Sequence, residues 1–186
     1  MGGDELVEAI HHKKVLIIGC SGAGKSTLSR KLAMRWGLPL HHLDALFWNE
    51  GWIPTPKPEF REMLKDVVAQ PEWIIDGHFN STLEMRAQYA DLIIFLDFSN
   101  WLCLSRVTKR VWSYWGQTRP DMAEGCPEKI DMNFVRWIWR YPKDVRPGVL
   151  DILQKTQADV VLLKTSVEVE RWLATTPQRN TKGGVL

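Results

Sequence analysis

At 186 residues the chain fits one domain, large enough to bury most of its apolar surface without disulfides or metals. Its formal net charge of +2 is nearly neutral, which argues against a protein built mainly to grip nucleic acid. Residues 1–12 hold no signal-peptide core and no run reaches membrane-spanning length, so a soluble cytoplasmic protein without a membrane partner is expected.

Residues 13–28 read KKVLIIGCSGAGKSTL, an apolar run that passes through a glycine-rich loop into a helix-forming segment. This is the complete phosphate loop in its strand, loop and helix setting; a chance glycine-rich turn would not carry every part in order. A triphosphate is bound largely by backbone N–H groups. Gly19, Gly22 and Gly24 let those groups converge, with Ser21 and Ala23 completing the cradle. The helix start adds unpaired N–H groups and the positive end of its dipole. Lys25 supplies a full charge to the β and γ phosphates, the Ser26 hydroxyl is placed to ligate Mg²⁺, and Thr27 faces the α phosphate. Cys20 lies inside the loop and reads as filler before it reads as an oxidisable thiol. With Cys103 and Cys126 it makes an odd number without metal-ligand spacing, as expected of reduced thiols.

The first helix runs from Gly24 to Trp36, and Gly37-Leu38-Pro39 stops it. A short strand over 41–44 ends in Asp44, where open parallel sheets bind ligands; Asp44 is a substrate or metal-shell candidate, or a plain cap. His41 and His42 point to opposite faces, which speaks against a joint metal site. Residues 45–58 read as a loop, and Thr55-Pro56 opens a helix to Ala69. Arg61 and Lys65 on its outer side form a solvated pair or a hold for an acceptor's phosphate. Strand 73–77 carries Asp76 at its end. As second anionic partner for Mg²⁺, Asp76 is the first choice and Asp97 the second, because Gly77 leaves room for a ligand. Residues 80–89 form a short helix containing Arg86, and 92–96 a strand.

The helix from Asn100 to Tyr114 buries Leu104, Val107 and Val111 and presents Arg106, Lys109 and Arg110 on its other face. No Asp or Glu occurs from Ser99 to Pro120, so Arg106 and Arg110, four apart, await an anionic ligand. Residues 116–130 are too long for an ordinary connection and read as a functional lid or a disordered stretch. Helix 130–141 packs Phe134, Trp137 and Tyr141, carries Arg136 and Arg140 on another face as further substrate candidates, and ends at Pro142. Helix 145–157, strand 159–163 and helix 167–174 follow. Of the ten tryptophans most pack, while Trp48, Trp52, Trp112, Trp115, Trp137 and Trp139 lie in loop-like or mobile segments from which one or two line a substrate pocket.

Alternating strands and helices predict one three-layer α/β/α domain over 13–175 with a parallel sheet, a lid at about 113–140, and flexible tails at 1–12 and 176–186. GTPase and ABC-type signatures are absent. Five strands, a lid and paired arginines suit an ATP-dependent, Mg²⁺-assisted enzyme that moves a γ-phosphoryl group to a small acceptor while excluding water. On this reading Lys25, Arg106 and Arg110 are catalytic.

The phosphate loop, Trp73–Gly77, Leu92–Asp97 and the Arg106/Arg110 helix also resemble the adenylate kinase-like small-molecule kinases. More narrowly, Leu43–Trp48, Gly125–Asp131 and Phe134–Arg140 are similar to the group called DNA topology modulation protein, or FlaR. The resemblance implies the P-loop NTPase fold with a five-stranded sheet in the order 2-3-1-4-5 and a helical lid, and ATP as donor. It implies Asp76 beside Mg²⁺, Arg106 and Arg110 as lid arginines, and Arg86 near the acceptor. Adenylate kinases continue Asp-Gly with Phe-Pro-Arg, whereas this chain reads Asp76-Gly77-His78-Phe79-Asn80, so the acceptor need not be a nucleotide. A second reading, from the group's name, is an ATP-binding regulatory factor affecting DNA topology or gene expression. Oligomeric state is left open.

Overall fold

A computed structural model describes residues 12–178. The main sheet is built from β1 (Lys14–Gly19), β2 (Leu40–His42), β5 (Trp73–Asp76), β6 (Leu92–Leu96) and β7 (Asp159–Leu163). They lie in the order β2-β5-β1-β6-β7, all parallel. Counted along the main sheet alone, that is the expected order 2-3-1-4-5.

β1 is apolar on both faces because helices cover both. Val15 and Ile17 join one core with Leu28, Leu32 and Trp36 of α1 (Lys25–Trp36) and Val107 of α5 (Asn100–Ser113). Leu16 and Ile18 join the other with Phe60 and Leu64 of α3 (Lys57–Ala69) and Leu83 of α4 (Asn80–Ala87). Val149 of α7 (Arg146–Lys155) closes that second layer. α8 (Ser166–Thr175) follows β7. No helix among the described residues is long and apolar enough to cross a membrane.

Several local expectations are corrected. Asp44 does not end a strand but lies in the first turn of a short helix, α2 (Leu43–Phe47). The expected loop at 45–58 contains a small antiparallel hairpin of β3 (Trp48–Asn49) and β4 (Ile53–Pro54). α6 (Met132–Asp144) runs past Pro142, which sits inside its last turn. The described part of the expected tail at 176–178 is anchored: Trp36 donates to the Pro177 carbonyl at 3.2 Å and Thr176 is buried. The rest of both expected tails lies outside the described residues.

Residues 115–128 are folded as a strap rather than left as an open loop. Bridges pair Trp115 with Glu128 and Thr118 with Pro127. The strap is tied to the hairpin: Gly51 N donates to Gly125 O (2.9 Å), Trp52 Nε1 to Pro127 O (3.0 Å), and the buried Cys126 thiol to Asn49 O (3.1 Å).

Candidate functional site

The loop after β1 curls around Gly22, whose φ is +83°. A Cβ there would also strike the Cys103 carbonyl and meet Val107 Cγ2 at 3.0 Å, so only glycine lets the loop lie this close to α5. Lys25 Nζ donates to the Cys20 carbonyl at 3.1 Å, holding the loop's shape. Cys20 itself is buried, and a hydrogen bond to the Cys103 thiol together with burial pushes its pKa up, away from a reactive thiolate.

Residues Ser21–Thr27 all line a cavity of about 730 Å³. The cavity spans Asp44, Asp76, Arg106 and Arg110, which brings the phosphate loop and the paired arginines together. Gly19 stands behind it, against Leu96 of β6. Arg106 lies over the Phe98 ring (5.2 Å) and donates to Ser166 Oγ (2.7 Å) and Ala23 O (3.4 Å). Arg110 is not short of a counter-ion, as its own helix suggested: it forms an ion pair with Glu128 at 3.1 Å. Glu128 also pairs with Arg119, and Arg119 with Asp121 at 2.9 Å.

The strap therefore delivers three groups that a scan of the arginine helix missed. Asp121 faces the Ser26 hydroxyl. Burial alone would raise its pKa, but Arg119 and Ser26 outweigh that and the net shift is downward, so the carboxylate stays ionised. The only sequence signal for these residues was the length and polarity of 116–130.

Asp76 is buried, with Oδ2 accepting from Ser29 Oγ and Oδ1 standing against His42 Nδ1, both at 2.9 Å. Burial opposes charge on His42, yet Asp76 and Asp121 more than compensate and raise its pKa. The room expected beside Gly77 is filled by Leu43, 2.6 Å from where a Cβ would stand. Asp97, the second choice for Mg²⁺, is committed elsewhere: Arg146 grips it with two hydrogen bonds of 2.8 and 2.7 Å.

Asp44 lines the phosphate cavity and a second one of about 560 Å³. Ser21, Lys25, Arg110 and Arg119 line both as well, so the cavities adjoin at the end of the phosphate loop. Burial raises the Asp44 pKa, Lys25 opposes this, Asp76 adds to it, and the net shift is upward. Trp48, Trp52 and Trp137 line the second cavity, whereas Trp112, Trp115 and Trp139 are exposed elsewhere.

The four arginines expected near the acceptor lie outside both cavities. Arg61 and Arg136 are exposed, and Arg140 is exposed and paired with Asp144 at 2.6 Å. Arg86 is fully buried and donates to the carbonyls of Gly77, His78 and Phe79 and to Thr82 Oγ1. Burial lowers its pKa to about 9, still well above neutrality, so it acts as a charged clamp on the turn after β5.

A crystal structure of shikimate kinase from Bacteroides thetaiotaomicron superposes with a TM-score of 0.52 at 17% identity, over 88% of this chain and 95% of that one. The fold is the P-loop kinase fold. Deoxyadenosine kinase from M.mycoides with bound dATP superposes with a TM-score of 0.48 at 16% identity, over 86% and 97%. In sequence, the chain is 34% identical over 80 residues to a shikimate kinase of Rhodopseudomonas palustris (strain ATCC BAA-98 / CGA009). The match spans 39% of this P-loop chain and 38% of that relative's length. No protein-family model matches.

Proposed function

We propose that the protein is an ATP-dependent phosphotransferase that moves the γ-phosphoryl group of Mg-ATP to a hydroxyl of a small acceptor. One observation carries this reading: a phosphate cavity and a second cavity meet at Lys25 and Asp44, with Arg110 and Arg119 lining both. Donor and acceptor can then meet in line without either crossing bulk water.

In this mechanism the phosphate loop binds the triphosphate, and Lys25, Arg106, Arg110 and Arg119 stabilise charge on the transferring group. Asp44 takes the proton of the acceptor hydroxyl; its upward-shifted pKa makes it a better base than an ordinary surface aspartate. The acceptor oxygen bonds to γ-phosphorus as the β–γ bridging bond breaks, and ADP leaves. The strap, tied to the hairpin, is the lid.

The residues fit Mg²⁺. Ser26, Asp76 and Asp121 offer only oxygen donors around the cavity, with two carboxylates among them; no group of three or more His, Cys, Asp or Glu side chains placed to hold a metal occurs among the described residues. That suits an ion that takes one or two protein groups and completes its shell with phosphates and water. Bound Mg²⁺ would neutralise charge between the β and γ phosphates.

Leu43–Trp48, Gly125–Asp131 and Phe134–Arg140, the segments similar to the FlaR group, supply Asp44, the strap and the second cavity's wall. These are parts of a transfer site. Neither the site geometry nor the comparisons support the alternative of a regulatory factor affecting DNA topology. The test is ADP release from ATP and Mg²⁺ across a panel of acceptors, with Lys25→Ala and Asp44→Asn as controls. Both variants should lose about a hundredfold or more in turnover. ADP release that no acceptor stimulates would overturn the reading.

A further inference from the structure

The second cavity is walled largely by aromatic rings. The hairpin contributes Trp48 and Trp52, their rings edge to face at 5.4 Å; α6 contributes Phe134 and Trp137, stacked within 5° at 6.0 Å. Phe79 adds a further ring. Two of these residues carry backbone strain: Trp52 (φ +64°) and Phe79 (φ +30°) are the non-glycine residues with positive φ among those described, and both line this cavity. Such conformations persist where the surroundings over-determine them, and they cluster at ligand sites. The Trp52 indole is further fixed by its bond to Pro127 O.

The polar groups argue against an acidic acceptor. A phosphate or carboxylate is held by paired guanidinium groups, and Arg61, Arg86, Arg136 and Arg140 lie outside this cavity. Arg110 and Arg119 line this cavity as well as the phosphate cavity, but both are already paired with the buried Glu128. Lys129 stands over the Trp52 ring at 5.8 Å, and Asp131 lines the same cavity. His78 lines the cavity and is 7% exposed; the Tyr141 hydroxyl stands 3.5 Å from its Nδ1, and its Nε2 is buried without a hydrogen bond.

We infer that the acceptor is an uncharged molecule with a flat aromatic ring and a free hydroxyl. The ring lies among Trp48, Trp52, Phe134 and Trp137, and the hydroxyl lies at Asp44. This deepens the phosphotransferase reading and rests on it. A nucleoside and a hydroxymethyl-substituted heterocycle such as pyridoxine share this chemistry, and the assay separates them.

The full chain is assayed with ATP and Mg²⁺ against three sets of acceptors, following ADP and product mass. The first set holds ribonucleosides, deoxyribonucleosides and pyridoxine; the second shikimate, gluconate and glycerol; the third AMP and dTMP. A member of the first set should exceed all others in kcat/KM by about tenfold or more, the scale of one aromatic stack. Trp52→Ala should raise the KM for that acceptor by about tenfold while leaving the ATP KM within about twofold, and Trp52→Phe should restore most of it. Best turnover with the second or third set would overturn the inference and leave the kinase reading standing. ATP binding with no acceptor phosphorylated in any set would overturn the kinase reading, and this inference with it.

Discussion

Replacing Arg86 by Met separates a structural clamp from an acceptor ligand. The guanidinium is fully buried, and its partners are three carbonyls and a hydroxyl. Phe79 O keeps a second donor in Thr82 N (3.1 Å), so the carbonyls stripped of this donor are those of Gly77 and His78. Each orphaned buried acceptor costs about 1–3 kcal/mol. Part of that is offset because the buried charge no longer has to be desolvated. A net loss of about 3 kcal/mol corresponds to a fall of ~6–12 °C in Tm for a chain of this size. Thermal unfolding followed by circular dichroism measures it, with acceptor KM taken below the transition. A melting point within about 2 °C of wild type, combined with a KM raised about tenfold, would refute the clamp and return Arg86 to the acceptor.

Arg110→Ala should leave the fold intact and reduce turnover by about 10²–10³, since it removes one charge-stabilising donor; steady-state rates near wild type would take Arg110 out of the mechanism. Asp97→Asn should lower Tm by loosening Arg146 yet leave the Mg²⁺ dependence of turnover unchanged, whereas Asp76→Asn should raise the Mg²⁺ concentration needed for half-maximal rate. A Mg²⁺ titration of both variants with the opposite pattern would exchange their roles. Gly125→Ala places a Cβ against the Glu50 side chain at φ +72°. The left-handed backbone costs about 1–2 kcal/mol there. That should loosen the strap from the hairpin and raise acceptor KM more than it lowers Tm; equal KM in kinetics on folded protein would show that the tie is idle.

What could be read from the sequence was whatever is encoded locally. The phosphate loop needs its own nine residues and nothing else, and strands covered by helices on both faces announce themselves as unbroken apolar runs such as Val15–Ile18. The spacing of Arg86 carries its burial: Thr82, Leu83, Arg86 and Ala87 share the buried stripe of α4, and a charge there needs the partners that the backbone carbonyls supply. Gly77 was read as space for a ligand because sequence does not show that Leu43 arrives from a neighbouring segment to fill it.

The deepest miss lies in the arginine helix, and its cause is general. A stretch without acidic neighbours from Ser99 to Pro120 looked like a positive face awaiting a ligand, yet Glu128 returns along the strap to meet Arg110 and Arg119. Pairing at that sequence distance depends on the strap folding back through its bridges at Trp115 and Thr118, which no helical or strand period encodes. The inference that these arginines address a triphosphate rests on their place in the cavity beside Lys25 rather than on a missing counter-ion. On the proposed reading, a carboxylate already in contact with them means that an incoming γ-phosphate would compete for the same guanidinium groups. On that reading donor binding would act on the strap, which Trp52 and Gly51 tie to the wall of the second cavity.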